Sequence, residues 1–224
     1  WRCDRPPDGA IVRPPDGPSD LPPARRTARP PARQAGRRTR QASWIARRAG
    51  PRLWPVTAHE LIIRRTTADD WREVRALRLE MIRDTPKAYV ETLETAQSHD
   101  EAEWRMRGAR GSAEHGISIA AIDASGRWVA TMGGFVPDAS TGPLLGGVYV
   151  APDVRGREAG VADAMLTTIE DWARTESDRL TLHVHEENAR ARAFYERRGF
   201  VATGRTVPYP LAPDELEVEM SRAL

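Results

Sequence analysis

Up to about residue 60 the apolar residues follow no regular period, and from Leu61 onward they recur at the spacings of strands and helices. Leu61-Ile62-Ile63-Arg64-Arg65-Thr66 is a short β-branched run that predicts a strand. Thr67-Ala68-Asp69-Asp70 supplies capping residues, and Trp71, Val74, Leu77 and Met81 then fall at helical spacing with Leu79 and Ile82 beside them. Asp84-Thr85-Pro86 ends that helix. A second, more acidic helix is expected within Glu94 to Arg107, and Gly108 to Gly116 reads as a loop.

Ile117 to Ile122 and Trp128 to Phe135 predict two strands joined by the turn Asp123-Ala124-Ser125-Gly126, and Leu144 to Val150 predicts a further strand. A glycine-bearing loop leads to a helix from about Gly160 to Arg174, with Val161, Met165, Leu166, Ile169 and Trp172 on one face. Leu180 to His185 alternates as a strand, Ala189 to Arg198 is helical, Phe200 to Thr203 begins a strand, and Leu216 to Met220 is the last. The order β-α-α-β-β-β-α-β-α-β-β predicts a mixed α/β fold in one domain, residues 61–224.

The stretch before it changes the picture of the charge. Residues 1–57 read as a Pro/Arg-rich leader in repeated Arg-Pro-Pro steps, too poor in apolar residues to offset the entropy of ordering, so disorder is expected. The overall charge of +2 divides into +9 before Ala58 and −7 beyond it, and the basic character belongs to the leader. A basic arm for nucleic acid is the alternative, but stacking aromatics there are limited to Trp44 and Trp54. Val56, just ahead of the first strand, reads as a candidate translation start. The single cysteine, Cys3, excludes an intramolecular disulfide framework. No apolar run approaches the roughly 20 residues of a membrane-spanning helix, and a cytoplasmic setting is expected.

Two stretches carry chemistry. In Val148-Tyr149-Val150-Ala151-Pro152-Asp153-Val154-Arg155-Gly156-Arg157-Glu158-Ala159-Gly160-Val161-Ala162, a strand, an arginine-rich turn and a helix start follow one another. A helix N-terminus presents unpaired N–H groups and the positive end of the helix dipole, which suits a pyrophosphate. Gly160 admits close approach, and Arg155 and Arg157 add charge. Arg157-x-x-Gly160-x-Ala162 resembles the Q/R-x-x-G-x-G/A acetyl-CoA signature of the GNAT acetyltransferase superfamily, with a loop two residues longer than usual. Glu158 is compatible with a diphosphate there only when turned to solvent. The second stretch, Asn188 to Phe200, resembles the GNAT motif N-x-x-A-x-x-F-Y-x-x-x-G-F at every specified position. On packing grounds alone Asn188 would be an N-cap and Gly199 a left-handed C-cap.

The resemblance spans Leu61 to Leu224 and implies a central, mostly antiparallel sheet, splayed between its fourth and fifth strands and flanked by helices. It implies acetyl-CoA as co-substrate, held by Val148, Tyr149, Val150, Arg155, Gly156, Arg157, Gly160, Val161, Ala162 and Asn188. It also implies an amine that attacks the thioester directly, and Tyr195 as proton donor to the CoA thiolate. The fourth strand has no carboxylate to act as base, which leaves His183, His185, Glu186, Glu187 or water. No third ligand of suitable spacing accompanies the two histidines, so no metal is expected. The expected partner is a small-molecule or peptide amine acceptor, without membrane or nucleic acid, and the chain acts as monomer or homodimer. A catalytically silent CoA-binding module is the alternative that Tyr195 argues against.

Overall fold

The computed structural model describes residues 61–224. The leader, its expected disorder and the reading of Val56 lie outside the described residues.

Seven strands form one sheet in the order β1-β2-β3-β4-β5-β7-β6. In sequence they are β1 (Ile62–Arg65), β2 (Gly116–Ile122), β3 (Trp128–Phe135), β4 (Leu144–Val150), β5 (Arg179–His185), β6 (Val201–Tyr209) and β7 (Ala212–Ala223). Every neighbouring pair is antiparallel except β4 and β5. The helices are α1 (Trp71–Asp84), α2 (Leu93–Ser98), α3 (Glu101–Ala109), α4 (Val161–Glu176) and α5 (Ala189–Arg197). The mixed α/β layout expected from the periodicity is the one observed.

β3 is buried on both faces, and α1 and α4 both pack on it. Buried side chains from strands and helices, among them Trp104, Ile119, Met132, Leu166, Ile169 and Leu182, form one core cluster. Gly134 lets α4 lie close, because a methyl group on its Cα would run into the Trp172 ring. Thr67 and Asp70 cap as expected, through a short 3-10 turn ahead of α1: the Thr67 amide donates to the Asp70 carboxylate at 2.8 Å. Arg64 grips the same carboxylate through both guanidinium nitrogens, at 2.7 and 2.8 Å.

Two expectations need correction. The helix placed within Glu94 to Arg107 is two helices, because His99 and Asp100 adopt extended backbone and Asp100 caps α3 by accepting the Glu103 amide at 2.9 Å. The last two strands are longer than the short apolar runs implied. β6 is a polar, largely exposed edge strand, so its period never showed in the apolar residues.

Candidate active site

The parallel pairing of β4 with β5 is confined to Leu144↔Thr181 and Leu145↔Leu182. Immediately beyond, β4 bulges: Thr131 pairs with Tyr149 and Gly133 with Gly146, so Gly147 and Val148 stand opposite Met132 alone. Gly147 sits at φ 61°, in the left-handed region that a side chain disfavours. Past the bulge the strands part, and the carbonyls of β4 meet side chains instead of β5. The Tyr89 hydroxyl donates to the Val148 carbonyl at 3.1 Å, and Arg155 Nε donates to the Val150 carbonyl at 2.6 Å. Between the strands lies a cleft of about 520 Å³.

Most of the residues singled out by sequence meet in this cleft. Val148, Tyr149 and Val150 form one wall, Arg155, Gly156, Arg157 and Ala162 one end, and Asn188 and Tyr195 the opposite wall. Gly160 and Val161 do not line it. Val161 is buried in the core at 1% exposure, and Gly160 is the N-cap of α4 at φ 65°, where the chain turns into the helix. No side chain caps that helix start, so its first amides face outward unserved by a capping oxygen. Arg155 is engaged by Asp84 as well as by Val150. Arg157 and Glu158 are exposed. Asn188 caps α5 by accepting the Ala191 amide at 3.1 Å, and Gly199 closes that helix at φ 85°. The packing roles assigned to these two residues are therefore real, and Asn188 reaches the cleft as well.

Tyr195 is 6% exposed, its ring packed edge-on to Phe194 and Phe200 at 5.4 and 5.7 Å between centroids. Burial pushes its phenol pKa up. His183 and His185 both contribute to the lining, while Glu186 and Glu187 do not. His185 is held by two neighbours: Nε2 donates to Glu215 at 2.7 Å, and Nδ1 accepts the Glu187 amide at 3.2 Å. Its ring stands perpendicular to Tyr209 at 5.0 Å. The fold thus supplies what sequence spacing did not, since potential ligand atoms of His185, Glu187 and Glu215 lie within 4.8 Å of one another. The Lys87 ammonium lies 2.8 Å from both carboxylates and offsets part of their charge. The two carboxylates push the Lys87 pKa up.

Tyr89 was missed from sequence. It lies between α1 and α2 with no periodic partner, is 6% exposed, and ties the cleft together: its hydroxyl holds β4, and its carbonyl accepts the Tyr209 hydroxyl at 2.8 Å. Arg190, Arg197 and Asp163 also line the cleft without having been singled out, because exposed polar residues on a helix carry no pattern of their own.

A profile of the acetyltransferase (GNAT) family matches residues 76–200, more than half of the chain, and the chain belongs to that family. It is similar to a peptidyl-lysine N-acetyltransferase, YjaB, of Salmonella typhimurium, with 38% identity over 77 residues that make up 32% of this chain and 49% of that protein. The match thus spans about half the length of that relative. Its fold resembles a GCN5-related N-acetyltransferase from Kribbella flavida, with TM-score 0.58 and 23% identity over 74% of this chain and 99% of the other. It also resembles the spermidine N-acetyltransferase of Vibrio cholerae, solved with CoA and spermine, with TM-score 0.58 and 18% identity over 74% of this chain and 96% of the other. Among the described residues, no helix is long and apolar enough to cross a membrane.

Proposed function

We propose that this chain transfers an acetyl group from acetyl-CoA to a primary amine, and that Tyr195 donates a proton toward the leaving CoA sulfur. The observation that carries the reading is the cleft itself, with the α4 start at one end and a buried tyrosine in its wall. An uncapped helix start offers amides and a positive dipole end to the pyrophosphate, and Arg157, Arg190 and Arg197 bring further positive charge to the cleft. The pantetheine arm would lie along Val148 to Val150. The two carbonyls there already accept one side-chain bond each, and each retains a second lone pair.

A phenol whose pKa is raised by burial remains protonated at neutral pH. It stabilises the developing thiolate by donating within a hydrogen bond, since a full transfer to a thiolate of pKa about 8.5 runs uphill. The names of the similar proteins, a peptidyl-lysine and a spermidine acetyltransferase, support a primary alkyl amine as acceptor. Calorimetry with CoA, and thiol release from acetyl-CoA with spermidine and with a lysine-containing peptide, test the reading. Tyr195→Phe is expected to lower kcat roughly ten- to a hundredfold with acetyl-CoA affinity unchanged. Undiminished turnover by the phenylalanine variant would remove Tyr195 from the chemistry, and absence of CoA binding would overturn the transferase reading.

A further inference from the structure

An alkyl amine reaches the enzyme as an ammonium ion and must lose a proton before its nitrogen can attack. The strand that would carry an acid, β4, has none. The acids and bases near the cleft are nearly all committed elsewhere. Both ring nitrogens of His185 are engaged, and its side chain is 2% exposed. Glu187 and Glu215 hold Lys87, Glu186 accepts the Leu216 amide at 3.0 Å, and Asp163 pairs with Arg198 at 3.4 Å.

His183 differs from all of them. It lines the cleft, its side chain is 31% exposed, and its Nε2 lies 3.6 Å from a Glu219 oxygen, longer than a hydrogen bond, so the ring is oriented without being consumed. Glu219 stands directly opposite on β7 and is itself fixed: Arg205 donates to it at 2.6 and 2.9 Å and the Thr203 hydroxyl at 2.8 Å. Those contacts hold its carboxyl below the usual range, against the opposing effect of burial, so it faces the imidazole as an anion. The other titratable groups sharing the cleft with His183 are Tyr89, Tyr149, Tyr195, His185 on its own strand, Asp163 at the start of α4, and the arginines toward the α4 and α5 end. Burial holds the protons on the three phenols, both ring nitrogens of His185 are already engaged, and Asp163 is paired with Arg198.

We propose that His183 is the general base that takes the proton from the acceptor ammonium, with Glu219 orienting its ring. The inference rests on the transferase reading above. The ammonium gives one proton to the imidazole, and the freed nitrogen lone pair forms the N–C bond at the thioester carbonyl. The C–S bond breaks with its electron pair on sulfur. The nitrogen's second proton passes to the Tyr195 oxygen as that phenol gives its own proton to sulfur, and His183 releases the first proton to solvent. N-acetylamine and free CoA thiol result.

The test compares wild type, His183→Gln and His183→Ala from pH 6 to 10, using spermidine, a lysine-containing peptide and slow acetyl transfer to water as probes. Acetyl-CoA affinity by calorimetry and melting temperature serve as controls for folding. His183→Gln is expected to lose roughly a hundredfold in kcat at pH 7. With the amines it should recover toward wild type as pH nears about 10, where the acceptor deprotonates unaided. Added imidazole should restore part of the His183→Ala rate, which a merely structural histidine would not permit. A variant with normal CoA affinity and a wild-type pH profile, or a loss that neither pH nor imidazole reverses, overturns His183 as base and leaves the transferase reading standing. Failure of the wild-type chain to bind CoA overturns both.

Discussion

Glu91 shows how a single side chain outside the cleft supports it. It is 7% exposed and receives Arg78 at 2.7 Å and Arg107 at 2.9 Å, with His99 Nε2 at 2.8 Å on its other oxygen. Arg78 in turn lies over the Tyr89 ring at 4.9 Å, and Tyr89 holds β4. Burial alone would raise the Glu91 pKa, but the two guanidinium groups outweigh it and hold the carboxyl at about 2. A pKa depressed in the folded chain means stability that is fully present above the unfolded value of about 4.5 and is lost as pH falls from there to about 2. Glu91→Gln should destabilise the domain by about 3 kcal/mol at neutral pH, because the half-buried Arg78 loses its carboxylate partner and Arg107 is left with Glu103 alone. Its stability should also fall less than wild type between pH 4.5 and 2. Chemical denaturation across that range checks both, and equal acid slopes would place the acid sensitivity elsewhere. None of this was legible in the sequence. Glu91, His99 and Arg107 read as ordinary polar positions until the fold closed them on one another, whereas Tyr195 and Asn188 stood out because their neighbours form a fixed motif.

Among the elements, those with apolar periodicity were read well and those defined by backbone geometry were not. α4 announced itself through Val161, Met165, Leu166 and Ile169, all buried as expected. The break between α2 and α3 was written as Asp100 followed three residues later by Glu103, but the acidic run around it disguised a cap as a helix interior. The bulge in β4 had only Gly146-Gly147 as a sign. Gly160 was read as room for a phosphate, and the structure adds a second demand. At φ 65° it makes the turn into α4, a conformation costly for any β-branched residue. Gly160→Val should therefore shift the helix start and weaken CoA binding at least tenfold, with secondary structure retained by circular dichroism. Wild-type affinity in calorimetry would move the phosphate site away from α4.

Across the whole molecule, the sheet consists of two parts, β1 to β4 and β5 with β7 and β6, joined edge to edge by only two residue pairs. The local patterns predicted the strands but not that β7 would insert between β5 and β6, because strand order is set by long-range pairing that no short window contains. A ligand seated between the two parts binds the closed fold and not the unfolded chain. Saturation with CoA at a hundred times its dissociation constant should add about 2.7 kcal/mol. At roughly 2 to 4 °C per kcal/mol for a domain of this size, the melting temperature should rise by about 5 to 10 °C. A scan with no shift at confirmed saturation would show that CoA binds the unfolded chain as well as the folded one.

Lys87 is the only lysine in the chain, and its ammonium bridges Glu187 beyond β5 and Glu215 on β7. Apart from the chain's α-amino group, amine-directed chemistry therefore has a single address, and that address is beside the cleft. Reductive methylation with isotopic formaldehyde would give one side-chain dimethylamine resonance while keeping the positive charge. Its chemical shift would follow the two carboxylates around it, making the protein's sparse lysine content a spectroscopic probe of whatever cation enters the neighbouring mouth.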